Sequence, residues 1–480
     1  MPHEIPMDDL PRPLEDAIRA AGQAHVLRTW EGLDAAARAR LRGQLEGIDF
    51  AALVPLGALA RGLRAGHPRT VGGCDLAVAV TPRCETIADT PEAEAIGRAA
   101  LAEGAFGAIL VAGGQGSRLG CDGPKGAVSV GAISGATLFD LLLGKVRGIE
   151  RRFGRPVPLA IMTSSSTDRD TRAWLAAHGH CGLDPRRVLV FRQADLPALD
   201  DRDGGLLLDA PDHVAMAPDG HGGMLAALAA AGGLEWFAGQ GCRHVVSFQV
   251  DNPLAMPLHP GFLGHHLCTG AEFTTQVVEK RDPGERVGVV VREGGTTSVV
   301  EYSDLPAAPA AERLPDGRLR FHAGSIAVHA FALEFLARHA ARADSLPLHL
   351  AHKAVPFLDA SGARVTPSSP NAVKFERFIF DLMPLARHVT LVEIDPADGF
   401  APLKNPRGHA ADTIDHVRAA MDAFARRLLA RAGVSVAPEV PVELAPWIAD
   451  AADIAREHPP GSRIDRPTVI GNAGRSGTAG

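Results

Sequence analysis

The residues best suited to chemistry form a glycine-rich run, Ala112-Gly113-Gly114-Gln115-Gly116-Ser117-Arg118-Leu119-Gly120, followed closely by Pro124-Lys125-Gly126. Glycines in such a run let backbone N–H groups turn into one concavity, the arrangement that binds phosphate oxygens. Arg118 and Lys125 add positive charge where a chain of phosphates would lie. Two better-known loops do not fit. A dinucleotide fingerprint needs GxGxxG opening a helix, but here Gly120 comes one residue late and Pro124 would break the helix. A Walker A loop needs Ser or Thr after GK, and Lys125-Gly126 has neither. A purely structural glycine turn remains the plain alternative, but it would not require the added Arg and Lys.

Weaker signals accompany the loop. Asp251, in Val250-Asp251-Asn252, follows an apolar stretch, and an Asp at the carboxyl end of a strand can ligate Mg²⁺ on nucleotide phosphates. Its bland alternative is a turn cap. Ala217-Pro218-Asp219-Gly220-His221-Gly222-Gly223 could lay backbone against a base or sugar, or simply open a helix. Of 49 basic Lys and Arg residues only six are lysines: Lys125, Lys145, Lys280, Lys353, Lys374 and Lys404. A lysine kept in so arginine-rich a chain is a better functional candidate than usual, because ammonium and guanidinium are not interchangeable. Asn252, Asn371, Asn405 and Asn472 are the four asparagines, and Tyr302 is the one tyrosine.

These groups need elements to hold them. Short apolar runs at Gly107–Val111, Pro158–Met162, Arg187–Phe191, His244–Val250 and Val389–Ile394 read as buried parallel strands. Helical periodicity lies between several of them, as in Thr137–Phe153 with Leu138, Leu141, Leu142, Val146 and Ile149 inward, and near Glu92–Glu103. Alternating strands and helices predict an α/β fold with a doubly wound, Rossmann-like sheet. FTTQVVEK, VGVVVRE and TSVVEY, with no helix between them, predict an antiparallel extension. The expected domains are a helical N-terminal segment (1–95), a central catalytic domain (96–400), a small C-terminal domain (401–465, with a helix near Ala411–Ala430) and a disordered tail (466–480).

Bulk properties agree. A chain of 480 residues is long enough for two or three domains. Six scattered cysteines without a CxxC pair predict reduced thiols and a cytoplasmic protein. No apolar run is long enough to span a membrane, and the acidic Met1–Leu10 stretch is unlike a secretory signal. A net charge of -7 gives no broad attraction to nucleic acid. The expected partners are therefore small molecules, with neither nucleic acid nor membrane; oligomeric state is left open.

Taken in order, LVAGGQGSRLG…PKG, MAPDGHGG, VDN, VVEK…VGVV…VVEYSD, FHAGSIAVH, PNAVKFERFIFD and FAPLKN resemble the signature of the UDP-N-acetylglucosamine pyrophosphorylases, within the UDP-sugar pyrophosphorylase family. The resemblance runs from AAGQAHVLRTWEGLD to about residue 455 and takes in all the lysines except Lys145 and Lys353. It implies a mixed, GT-A-like nucleotidyltransferase sheet and an enzyme that joins UTP to a sugar 1-phosphate, releasing pyrophosphate, with Mg²⁺ as cofactor. By the same resemblance Ala112, Gly113, Gly114, Gln115 and Gly116 with Gln193, Met216 and Gly220 hold the nucleotide. Arg118, Lys125 and Lys404 serve the reacting phosphates, and Asp251 the metal. His221, Glu301, Tyr302 and Ser325 meet the sugar. Lys145, outside the motifs and on a helix, is expected to be silent on mutation.

Two positions depart from the acetylglucosamine pattern: His221 stands where that branch has Asn, and His322-Ala323-Gly324-Ser325 where it reads NAGN. His221 is similar to the UDP-glucose branch, so glucose 1-phosphate, or a broad range of sugars, is the alternative to N-acetylglucosamine 1-phosphate. The branch's usual closing motif near the C-terminus is absent. A non-catalytic UDP-sugar sensor would be expected to lose the cationic set, which is present here. A glycosyltransferase would normally carry DxD, whereas this chain has Asp251-Asn252-Pro253.

Overall fold

Strand Phe106–Val111 is apolar at nearly every position, and all of it except Val111 is buried. Such a run suits the middle of a sheet covered on both faces. The computed structural model, which describes residues 10–64, 74–87, 90–342 and 346–471, places it there. The sheet has ten strands, with the order Cys84–Thr86, Val389–Glu393, Phe273–Glu279, Ala323–Ala332, His244–Gln249, Phe106–Val111, Leu159–Thr163 and Val188–Arg192. Along this path neighbours are parallel, except that Ala323–Ala332 runs antiparallel to both of its neighbours. The remaining two strands, Val289–Glu293 and Thr296–Val300, form a hairpin that meets Ala323–Ala332 at Gly324. The register of Ala323–Ala332 slips opposite Thr275 and Val277, and Ala327 there takes a left-handed φ of 56°. The expected antiparallel extension is thus the hairpin alone, while FTTQVVEK is a strand of the main sheet.

Helix Leu138–Phe153 covers one face, packing Leu138, Leu141, Leu142 and Val146 into the main core beside Phe139, Leu159 and Phe248. Its start is fixed by a capping box. The Thr137 side chain accepts from the Asp140 backbone N–H, and the Asp140 carboxylate accepts from that of Thr137. Past Gly399, helix Ile414–Arg431 and two short parallel strand pairs form a satellite core of Leu428, Leu429, Ile454 and Ile470. Thr468–Ile470, inside the expected tail, is a strand paired with Val442–Leu444; residues from 472 onward lie outside the described residues.

The chain divides into two units. One contains the ten-stranded sheet and spans 74–193, 224–344 and 380–480. The other gathers 1–73, 194–223 and 345–379. In it, helices Arg12–Ala20, Ala35–Glu46 and Phe50–Arg64 share a core with a three-stranded sheet. That core includes Ile18, Trp30, Leu41, Leu45 and Phe375. Among the described residues no helix is long and apolar enough to cross a membrane.

Candidate active site

The glycine run begins where Phe106–Val111 ends, at the carboxyl edge of the sheet. The Ala112 N–H donates to the Met162 carbonyl (2.8 Å), so the chain leaves the sheet still tied to the neighbouring strand. The loop then folds back on itself. Gly116 N–H donates to Gly123 O (2.9 Å) and Lys125 N–H to Gly114 O (3.0 Å), bringing Lys125 back beside the glycines. Ser117–Leu119 and Lys125–Ala127 are single 3₁₀ turns, and neither continues as a helix.

Each glycine faces something different. A Cβ on Gly113 would lie 2.5 Å from the Gln193 side-chain amide, and one on Gly126 would lie 2.2 Å from the Phe139 ring. These two are required by packing. A Cβ on Gly114 would meet only the Lys125 stem at 3.9 Å. Space in front of Gly114 is therefore open, with backbone at its floor and an ammonium at its side. Gln115 lies in the same loop, in an isolated bridge with Pro124.

Gln193 sits at the carboxyl end of Val188–Arg192, its own N–H held by Thr163 O at 3.0 Å. It is buried, yet its side-chain oxygen has no hydrogen-bond partner. A buried amide oxygen left unpaired is unfavourable. The adjacent Ser164 hydroxyl, which the sequence reading missed, donates to Gly113 O at 2.7 Å and steadies that wall.

Strand His244–Gln249 lies beside Phe106–Val111, so Asp251 reaches the same edge. The Lys125 ammonium is 3.5 Å from its carboxylate, and both side chains are about 15% exposed (16% and 15%). Leu403 N–H donates to Asp251 O (2.8 Å), which brings Lys404 next to the same loop with its side chain exposed. Arg118 is also exposed, on its 3₁₀ turn. Among the described residues no group of three or more His, Cys, Asp or Glu side chains could hold a metal. One carboxylate already beside a cation suits an ion that takes most of its ligands from phosphates and water.

Further along the edge, the Ser325 N–H donates to Gly288 O (2.8 Å), and a Cβ on Gly288 would lie 2.9 Å from the Glu301 carboxylate. Ser325 and Glu301 thus flank one glycine. Tyr302, the next residue, is 46% exposed. The Lys280 side chain is buried and donates to Glu285 O (2.7 Å); burial lowers its pKa while Glu285 and Asp282 oppose that shift.

Met216, Gly220 and His221 belong to the other unit. Met216 pairs with Pro197 across a two-strand ladder. Gly220 has φ +80°, and a Cβ there would meet Arg377 O at 2.6 Å. The Arg377 guanidinium donates to both carboxylate oxygens of buried Asp219, at 2.7 Å each. The His221 ring stacks on Phe378 (5.0 Å between centroids), and its Nδ1 accepts the Ile379 N–H at 3.1 Å. That contact puts the proton of the neutral ring on Nε2.

The residue expected to be silent is not idle. Lys145 donates to two carbonyls of the loop that carries Asp251: Pro253 at 2.6 Å and Ala255 at 2.9 Å. Burial lowers its pKa to about 7.

Residues 90–405 match the family model described as UTP–glucose-1-phosphate uridylyltransferase. The chain is 39% identical to the UDP-N-acetylhexosamine pyrophosphorylase-like protein 1 of Xenopus tropicalis over 62% of this chain and 59% of that protein, less than two thirds of its length. It is 35% identical to the human protein of the same name over 87% of this chain and 85% of that one. Its fold matches the Trypanosoma brucei UDP-N-acetylglucosamine pyrophosphorylase solved with an inhibitor, at a TM-score of 0.77 and 24% identity over 97% of this chain and 99% of that one. With its glycine loop, Lys125 and acidic strand end at one sheet edge, the chain belongs to the UDP-sugar pyrophosphorylase family of nucleotidyltransferases.

Proposed function

We propose that this protein transfers the uridylyl group of UTP to a sugar 1-phosphate, N-acetylglucosamine 1-phosphate in the first instance, releasing pyrophosphate. The observation that carries this reading is the convergence of Lys125, Asp251 and the Lys404 segment at the carboxyl ends of two adjacent parallel strands. Ligands of open α/β sheets bind at such edges. Family resemblance supplies the assignments, and the geometry makes each chemically reasonable. The open backbone at Gly114, with Ala112, Gly113, Gln115, Gly116 and exposed Arg118, receives the triphosphate. Gln193 reads the base: a uracil N3–H is a donor that its unpaired oxygen can accept, whereas cytosine presents an acceptor there. Met216 and Gly220 belong to the same nucleotide reading.

The reaction is an in-line attack by the sugar-phosphate oxygen on the α-phosphorus, with pyrophosphate leaving on the opposite side. Lys125 neutralises charge on the α-phosphate, and Lys404 orients the incoming phosphate. The protein acts by positioning and charge neutralisation, with no covalent enzyme intermediate. Enzymes of this family work with a divalent metal, and in this proposal the ion is Mg²⁺ held by Asp251. When bound, it supplies positive charge to the phosphates. His221, Glu301, Tyr302 and Ser325 read the sugar. A cytoplasmic location belongs to the same reading and is supported by six free cysteines.

The test is pyrophosphate release from UTP or CTP with a panel of sugar 1-phosphates. Release with UTP and N-acetylglucosamine 1-phosphate is expected. Absence of pyrophosphate with every sugar, despite UDP-sugar binding, would identify a sensor instead. A clear preference for glucose 1-phosphate would replace the sugar while keeping the chemistry.

A further inference from the structure

We infer that Lys145 is a positioning residue for the uridylyl transfer proposed above, clamping the 251–255 loop so that Asp251 and Lys404 are held in register with Lys125. Its ammonium donates to the carbonyls of Pro253 (2.6 Å) and Ala255 (2.9 Å). The same loop is gripped from a second direction. The Asn252 side-chain nitrogen donates to Gly399 O (2.8 Å), and its oxygen accepts the Ala401 N–H (3.0 Å). Leu403 N–H then closes on Asp251 O (2.8 Å). A continuous set of hydrogen bonds therefore runs from Lys145 through the loop to the segment bearing Lys404. Asp251, between these grips, lies 3.5 Å from Lys125.

The residue type fits the task. Two carbonyls a residue apart can share one compact ammonium, whereas a guanidinium is a larger planar fork with five donors to satisfy. In a chain that otherwise favours arginine, this accounts for the lysine. Loss of its charge leaves the clamp intact, because a neutral amine still carries two N–H donors for two carbonyls. The helix that carries Lys145 is itself fixed in place. A Cβ on Gly144 would lie 2.3 Å from the Pro446 ring, and one on Gly148 would lie 2.9 Å from the Trp447 backbone. The helix therefore has little freedom to slide and restore the contact if the side chain is lost.

A packing role alone would affect stability and leave kinetics untouched. A positioning role has a different signature, because a misplacement of about 1 Å in reacting groups costs on the order of 10²-fold in rate. Lys145→Met keeps the stem and removes the donors. The expected result is a folded protein whose metal-free UTP affinity stays within about threefold of wild type. Its kcat falls roughly tenfold to a hundredfold, and the Mg²⁺ concentration for half-maximal activity rises by a similar factor.

A second readout does not depend on activity. Hydrogen exchange of the apo protein should quicken in 251–255 and 399–404 while strand Phe273–Glu279 stays unchanged. If Lys145→Met does not melt cooperatively, Lys145→Gln takes its place, with smaller shifts in the same direction. A wild-type assay comes first: if it releases no pyrophosphate the functional reading fails, and hydrogen exchange still judges the clamp. Wild-type kcat and Mg²⁺ demand in a folded variant, or unchanged exchange in both segments, would overturn the inference.

Discussion

Replacing Gln193 by leucine separates what the fold wants from what the nucleotide wants. In the apo protein this side chain is buried with its oxygen unpaired, and an unsatisfied buried acceptor costs about 1–3 kcal/mol. Leucine has a similar volume and no polar atom to desolvate, so Gln193→Leu should leave the melting temperature unchanged or raise it. The nucleotide loses more. The hydrogen bond from the uracil N3–H disappears, worth about 0.5–1.5 kcal/mol, and the base edge enters the site unpaired at a further cost of about 1–3 kcal/mol. Summed conservatively, UTP binding should weaken by roughly 2–4 kcal/mol, or about 30-fold to 1,000-fold in Kd. Calorimetric titration of UTP and CTP, alongside thermal unfolding, measures both sides. The gap between UTP and CTP should narrow, because the group that distinguishes them is gone. A variant that melts several degrees lower but binds UTP as tightly as wild type would refute the reasoning: Gln193 would then be a structural amide.

Four other outcomes follow from the same geometry. Gly114→Val should fold normally, since its Cβ meets only open space, yet lose UTP binding; Gly126→Ala, which drives a methyl into the Phe139 ring, should instead lose about 1–3 kcal/mol of stability by denaturant titration. Lys125→Ala and Lys404→Ala should each lower turnover by about 3–4 kcal/mol, roughly a hundredfold to a thousandfold, in a pyrophosphate-release assay with folded protein. His221→Asn should shift the kcat/KM ratio toward the N-acetylated sugar; an unchanged ratio would remove His221 from sugar reading. Half-buried His244 and buried His266, 3.0 Å apart, have pKa values lowered by burial to about 4 and about 3. Both lie below the unfolded value, so their contribution is complete above about pH 6.5 and is lost as pH falls toward 4, by on the order of 2 kcal/mol per ring by pH 5. Denaturant titrations at pH 7 and pH 5 should show His266→Met losing less stability between those pH values than wild type.

Periodicity and punctuation made much of the sheet legible. The expected strands at Gly107–Val111, Pro158–Met162 and His244–Val250 overlap the observed ones to within a residue or so at either end. Thr137 was placed inside its helix but serves as the cap. Ala323–Ala332 was quoted as a motif but not anticipated as a strand. Its left-handed Ala327 breaks the alternation of faces on which a strand reading depends. Lys145 escaped notice for another reason. Helical spacing tells which face a side chain shares, but not that its end meets the carbonyls of a distant loop, and those carbonyls have no sequence signature. The unpaired oxygen of Gln193 is likewise a property of its surroundings. The Ser164 contact to Gly113 could have been suspected from TSSST, a hydroxyl-rich run at a strand's carboxyl end.

The order of strands in the sheet also constrains how the chain can be made. Phe106–Val111 is synthesised early, but its neighbour on one side is His244–Gln249, and Cys84 waits for Leu391 to complete its ladder. Such distant pairing gives a high contact order, and therefore slow assembly with long loops closed before any reward. During synthesis the apolar Phe106–Val111 strand has Leu159–Thr163 as its first partner, leaving its other edge unpaired from Thr163 until His244 is reached. An unpaired, uncharged edge is a template for pairing with another chain. Growing chains that crowd together on one messenger are therefore most exposed to misassembly before His244–Gln249 emerges. A shortened chain ending ahead of that strand should go to inclusion bodies, with no soluble half-sheet recovered.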